Sequence, residues 1–210
     1  MTFVDDWSTV ISMNGKDTRT ELIKVGMRIM ARHGFNSAGL ATILKEANVP
    51  KGSFYHFFSS KQEFGLTVLD HFATGVERVF TAFLLDETSP PMVRFRNCID
   101  SLTKKFESNN CSIGCFAANM GQELADSNET FREKLVDIFC SWITHFENCL
   151  REAQESGEIS NQLSPECLAL FFLSGFEGAL LLSKVMKSTS PLKNFTTVFF
   201  EMLVQQAHQD

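Results

Sequence analysis

The segment Ser37–Lys61, SAGLATILKEANVPKGSFYHFFSSK, constrains the fold of this 210-residue chain more than any other. It reads as a short helix, a four-residue turn and a second short helix. Leu40, Ile43 and Leu44 fall at helical spacing and make one apolar face. Asn48 follows Ala47, where the first helix must stop, and Asn tolerates a left-handed backbone nearly as well as Gly. Val49 then plugs the angle between the helices, and Pro50 suits a helix start, where its missing N–H is not needed. The second helix, Lys51–Phe57, places Lys51, Gly52, Ser53, Tyr55 and His56 at its exposed N-terminal half and leaves Phe54, Phe57 and Phe58 to anchor it. A cation, a hydroxyl, a phenol and an imidazole on one small helix are the inventory for phosphates and base edges in a DNA major groove.

A net charge of −6 taken alone argues against a nucleic-acid partner, but the distribution reverses that argument. From Lys16 to Lys61, eight Lys and Arg residues stand against Asp17, Glu21 and Glu46, which gives +5 and leaves −11 for the remainder. A basic head on an acidic body is what a chain needs if only the head meets phosphates.

Gly34–Phe35 followed by LATILKEANVPKGSFYHFFSSKQEF, within a stretch from about Thr18 to Phe64, resembles the DNA-binding domain of the TetR family of bacterial repressors. The resemblance implies an all-α fold, with an N-terminal three-helix helix-turn-helix domain joined by a long helix to a helical ligand-binding and dimerisation domain. Carried over residue by residue, it implies base and phosphate contacts from Lys51, Ser53, Tyr55 and His56, close backbone approach at Gly52, and a phosphate grip at Lys61. The family often has a Thr at the start of the first motif helix; Ala38 and Gly39 stand there, with Ser37 or Thr42 as substitutes.

The periodicity of the rest agrees. Residues 1–15 read as a flexible arm, with Asn14–Gly15 a turn signal. A helix over Thr18–His33 turns Leu22, Val25 and Ile29 inward and ends on Gly34. A long helix over Lys61–Leu84 turns Phe64, Val68, Leu69, Phe72, Val76 and Phe80 inward. Past the Glu87–Pro91 turn, helices are expected at Met92–Ser108, Gly114–Ala125, Glu129–Glu155, Pro165–Lys187 and Leu192–Ala207. The division is therefore an arm at 1–15, a DNA-binding domain at 16–64 and a sensing and dimerisation domain at 65–210. The last two helices are apolar nearly all round, so each should be buried on every side. The resemblance implies that they pair with a second copy in a four-helix bundle, where Gly175 and Gly178 permit close approach.

In the sensing half, Ile113–Asp126, IGCFAANMGQELAD, is similar to the Gly-Cys-Leu…Glu-Leu-Ala-Asp segment of a TetR branch that includes repressors of N-ethylmaleimide reductase and acrylate-metabolism genes. That likeness implies an effector among reactive electrophiles or small unsaturated acids, with Cys115 as the position carried over. The chemistry stands independently: a thiol reacts as thiolate, which a helix N-terminus or a cation favours. Lys184 is a cation at the end of an apolar helix, and Phe116, Met120, Trp142, His145 and Phe176 are candidates to line a greasy cavity beside the two. The alternative keeps Cys115 as a small buried hydrophobe and Lys184 as a surface residue reached by its stem.

A rival class, a metal- or redox-responsive helical protein, would use Cys111, Cys115, His145 and Cys149, paired at spacings of four on helical faces. No C-x2-C spacing supports it, and no cofactor is implied. Neither G-x-S-x-G, a Gly-rich phosphate loop nor H-E-x-x-H occurs, which argues against an enzyme. The run Leu168–Met186 is broken by Ser174, Gly175, Glu177 and Ser183 and carries Lys184, so a buried helix is expected rather than a membrane span. With MTFVDDWSTV unlike a secretory leader and six cysteines in no dense framework, a cytoplasmic protein with free thiols is expected.

Overall fold

The computed structural model describes residues 18–207, with side chains to Leu203; the expected arm at 1–15 lies outside the described residues. Among the described residues there are nine helices and no strand: α1 Thr18–His33, α2 Leu40–Ala47, α3 Lys51–Phe57, α4 Lys61–Leu84, α5 Pro91–Ser108, α6 Phe116–Leu124, α7 Glu129–Glu155, α8 Pro165–Met186 and α9 Ser190–Ala207. The all-α expectation is met. Two compact units share α4. One comprises residues up to Gly75 with Cys115–Val136; the other comprises Val76–Gly114 with the chain from Asp137 onward.

The first unit contains α1–α3. Leu22, Val25 and Ile29 of α1 are buried with Ile43 and Leu44 of α2. Gly34 closes α1 at φ +80°, its N–H donating to the Met30 carbonyl at 2.8 Å. Asn48 does adopt the left-handed conformation, φ 53° and ψ 44°, and the next amide, Val49, reaches back to Leu44 at 2.9 Å. Phe54 and Phe58 pack edge-on against Phe64 of α4, with ring centroids 5.4 and 4.9 Å away. Phe57 is only half-buried, so two of the three expected anchors hold α3. A Cβ on Gly26 would lie 2.3 Å from Phe64, so α1 and α4 touch backbone to ring. Side chains cap the α4 N-terminus in both directions: Ser60 Oγ accepts from the Glu63 amide at 3.0 Å, and the Glu63 carboxylate accepts from the amide of Ser59, one residue before the N-cap, at 2.7 Å.

The second unit is built on aromatic rings. Phe95 lies 4.8 Å from Phe172 and 5.3 Å from Phe146; Phe172 lies 4.9 Å from Phe199; Phe80 lies 5.0 Å from Phe146. The abundant phenylalanines are thus largely spent on one another. Arg94 is buried with them. It donates to the Leu84 carbonyl at 2.7 Å and pairs with Glu152.

One expectation needs correction. Gly175 does not await a second chain: a Cβ there would lie 2.2 Å from Phe195, so the glycine seats α9 against α8 within one chain. Its own chain covers α8 on one side, leaving the rest for the second copy the sequence calls for. Leu168, Ala169, Phe172, Leu173, Phe176, Ala179, Leu180 and Ser183 are buried, while Leu170, Phe171, Leu181, Leu182, Val185 and Met186 are exposed. By length and composition alone α8, with a mean hydropathy of 1.6, also passes for a membrane span.

Candidate DNA interface and thiol site

Helix α3 offers its expected face to solvent. Lys51, Gly52 and His56 are exposed, Ser53 is half-exposed and Tyr55 is 52% exposed with its ring edge-on to Phe54. Gly52 is informative because nothing lies within 4 Å of where its Cβ would be. Glycine inside a helix costs about 1 kcal/mol relative to alanine, and no packing within this chain requires it.

Helix α2 starts at Leu40, with Gly39 as N-cap and no side-chain cap. Ser37 therefore sits in the loop before α2 and Thr42 in its first turn, both exposed. Ala38, one residue after Ser37, is buried. Lys61 turns toward its own head: its Nζ donates to the Asn36 carbonyl at 3.1 Å and lies 4.8 Å from the Phe35 ring centroid. Partial burial pushes the Lys61 ammonium down, and the Glu123 charge opposes that shift.

Cys115 is the N-cap of α6 rather than a residue inside it, so the helix begins two positions after the expected Gly114. Its Sγ accepts from the Ala118 amide at 3.4 Å, and the residue is half-buried. Sulfur occupies the place that Ser, Thr, Asp or Asn usually takes. Phe116 and Met120 of α6 are buried, Phe116 edge-on to Phe72 at 5.5 Å.

In the second unit, the Lys184 stem passes over Gly114: its Cδ lies 3.5 Å from where a Gly114 Cβ would be. Gly114, at φ +73°, immediately precedes Cys115 in the chain. Trp142 is buried edge-on to Phe80 and Phe139, and Phe176 stacks on Phe172 at 5.5 Å. His145 Nε2 lies 2.5 Å from Glu77, whose other oxygen accepts from Ser141 Oγ at 2.7 Å. An open surface pocket of about 560 Å³ is lined by Glu107, Asn110, Cys111, Ser112, Lys187, Ser188 and Thr189, none of them among the expected effector residues.

None of the six cysteines is in a disulfide. Burial pushes Cys98 and Cys149 up to about 12, and Cys149 donates to the Pro91 carbonyl. Among the described residues no group of three or more His, Cys, Asp or Glu side chains could hold a metal, so the four donors of the rival reading are not gathered into a site.

Glu123, the first residue of the Glu-Leu-Ala-Asp run, joins the two ends of its unit. Its carboxylate accepts from the Phe35 and Asn36 amides, both at 2.7 Å. Sequence offers no signal for this, because the partners are backbone groups some 87 positions away.

Residues 22–65 match the model of bacterial regulatory proteins of the tetR family, and residues 91–199 match the tetracyclin repressor-like C-terminal domain. The chain is 34% identical over 186 residues to the HTH-type transcriptional repressor DhaR of Mycobacterium sp. (strain GP1), covering 89% of this chain and 92% of that protein. Its fold superposes on the regulatory protein TetR from Rhodobacter sphaeroides with a TM-score of 0.82 at 34% identity, covering 87% of this chain and 96% of the other. The reduced form of E. coli NemR gives a TM-score of 0.80 at 27% identity, covering 89% and 98%. An exposed α3 on a basic head, with both family models matching in order, makes this chain a member of the TetR family of DNA-binding transcriptional regulators.

Proposed function

We propose that the chain is a cytoplasmic repressor that binds a near-palindromic operator as a homodimer and is released by modification of Cys115 or by a small effector. DhaR and NemR are both repressors, and repression is the reading favoured here. Residues 16–64 read DNA and residues 65–210 sense and dimerise. Two copies of α3 enter successive major grooves about 34–36 Å apart. Lys51, Ser53, Tyr55 and His56 contact bases and phosphates, Ser37 or Thr42 adds a phosphate contact, and Lys61 with the α4 N-terminus grips another phosphate. Open space over Gly52 is the observation that carries the reading, because the residue is explained by something outside the chain approaching α3.

The dimer forms through α8 and α9. Phe171, Leu181, Leu182, Val185, Val198 and Met202 are exposed, and large apolar side chains left exposed together mark an interaction surface. Gly178 lies on the exposed side of α8 with nothing within 4 Å, leaving room for close helix approach.

Cys115 is the trigger favoured by geometry. Its sulfur accepts from the Ala118 amide, one of the orphan donors at the start of α6, and the Lys184 stem lies over the preceding residue. Phe116 and Met120 in one unit, and Trp142, His145 and Phe176 in the other, are the effector-contacting candidates; effector binding or modification of Cys115 shifts the population away from the operator-binding state. N-ethylmaleimide is a usable probe: its C=C adds to the sulfur, the thiol proton ends on the neighbouring carbon, and nothing leaves. Treated wild-type protein should release a duplex that it selects from random sequence, while Cys115→Ser keeps it. Equal release by the variant overturns the thiol trigger and leaves a reversible effector as the remaining route.

A further inference from the structure

Glu123 stands in the last turn of α6, where the helix dipole disfavours a carboxylate. Its placement is explained by its partners. Oε2 accepts from the Phe35 amide and Oε1 from the Asn36 amide, each at 2.7 Å, just after α1 ends on Gly34. The fit is close: a Cβ on Gly34 would lie 2.7 Å from Oε2. Lys61 holds the same loop from α4, its ammonium on the Asn36 carbonyl. Gly65 admits the Phe35 ring, since a Cβ there would lie 2.4 Å from it, and Phe35 packs edge-on to Phe131 of α7 at 4.9 Å. The loop from Gly34 to Gly39 is the lead into α2, and Ala38 within it is buried. All these groups belong to one compact unit.

We propose that Glu123 is the positioning residue that sets the α2–α3 reading pair on its base, and that it ties the start of α6 at Cys115 to that pair. Eight residues of α6, about 12 Å of rigid helix, separate the N-cap sulfur from the clamp. A shift or unwinding at Cys115 moves the carboxylate that orders Phe35 and Asn36. A side-chain amide cannot replace it, because one of its two heavy atoms is a donor facing a donor. The first half of the proposal concerns operator binding alone; the second rests on the reading of Cys115 as the trigger.

Glu123→Gln and wild type are compared on two duplexes of equal length, one selected by the wild-type protein from a random pool and one of scrambled sequence, each before and after N-ethylmaleimide. Losing a charge-assisted clamp should weaken the selected duplex by about tenfold and the scrambled duplex by less than about twofold, because phosphate contacts persist when the reading pair is misaligned. The ratio of treated to untreated affinity, well below one in the wild type, should rise toward one in the variant. Unchanged affinity for the selected duplex, or equal loss on both duplexes with a lowered melting midpoint, overturns the positioning role. A drop in affinity on treatment as large in the variant as in the wild type overturns the link to Cys115. Should the wild-type protein keep its duplex after treatment, the thiol trigger fails and takes the link with it; the positioning role is then decided by the untreated comparison alone.

Discussion

Among the described residues, α3 and α8 each leave a face uncovered, and the two faces differ in polarity and local charge. On α3 the exposed residues are Lys51, Gly52, Tyr55 and His56, small or polar, on a head that is locally positive. On α8 they are Leu170, Phe171, Leu181, Leu182, Val185 and Met186, on a part of the chain that is locally acidic. A glycine sits without neighbours in each, Gly52 in one and Gly178 in the other. The contrast teaches what an unfilled face is for. A polar face with an open glycine suits a charged, hydrogen-bonding partner that must come close. An apolar stripe suits a partner whose surface wants equally to leave water, and another copy of the same stripe is such a surface.

Charging the apolar face should give the largest effect. Leu182→Glu with Val185→Glu places two carboxylates per copy into the expected seam, where they repel their counterparts. The variant should sediment as a monomer and lose operator affinity by roughly a thousandfold or more, toward the non-specific level of a single head. A variant that still sediments as a dimer breaks the assignment of α8 to the interface. On the other face, Lys51→Ala should weaken all duplexes by about the same factor and reduce the salt slope of binding by about one. An unaltered slope removes Lys51 from the phosphate contacts.

The thiols extend the comparison into the interior. With Cys98 and Cys149 pushed up to about 12 by burial, only about one molecule in 10⁴ presents either as thiolate at pH 8. Mass spectrometry after brief maleimide treatment should therefore find both unmodified in folded protein, with Cys115 ahead of them. Early labelling of Cys98 or Cys149 would show that the aromatic core around Phe95 and Phe146 opens readily.

Much of this was legible from residue order. Periodicity with terminal Gly and Pro placed α1, α3, α4 and α7 at their observed bounds, because each carries an apolar stripe and an ordinary stop signal. The start of α6, expected at Gly114, lies two positions later because Cys115 caps it through sulfur, and the Ser, Thr, Asp or Asn that marks a helix start in sequence is missing there. Helix α5, expected from Met92, starts at Pro91, and α9, expected from Leu192, starts at Ser190. Fates set by tertiary contact were illegible for a different reason. The seat of Phe195 on Gly175, the inward turn of Lys61 and the Glu123 clamp all join positions 20 to 88 apart, where pattern along the chain says nothing. Apolarity all round α8 was visible, but it does not say which side is covered by this chain.

The smallest effect is the sharpest test of the two-face contrast, because stability and function should move in opposite directions. Gly52→Ala adds one methyl to a seven-residue helix at a point with nothing within 4 Å. Within the free protein the change removes backbone freedom from the unfolded chain and improves helix propensity, so stability should rise by about 0.5–1 kcal/mol. A small increase in the melting midpoint follows. Against DNA the same methyl occupies the space through which a backbone or base edge approaches, and operator affinity should fall while dimerisation is untouched. If affinity stays level as the melting midpoint rises, Gly52 does not face the duplex, and the reading face must be rotated about α3 toward Tyr55 and His56 alone.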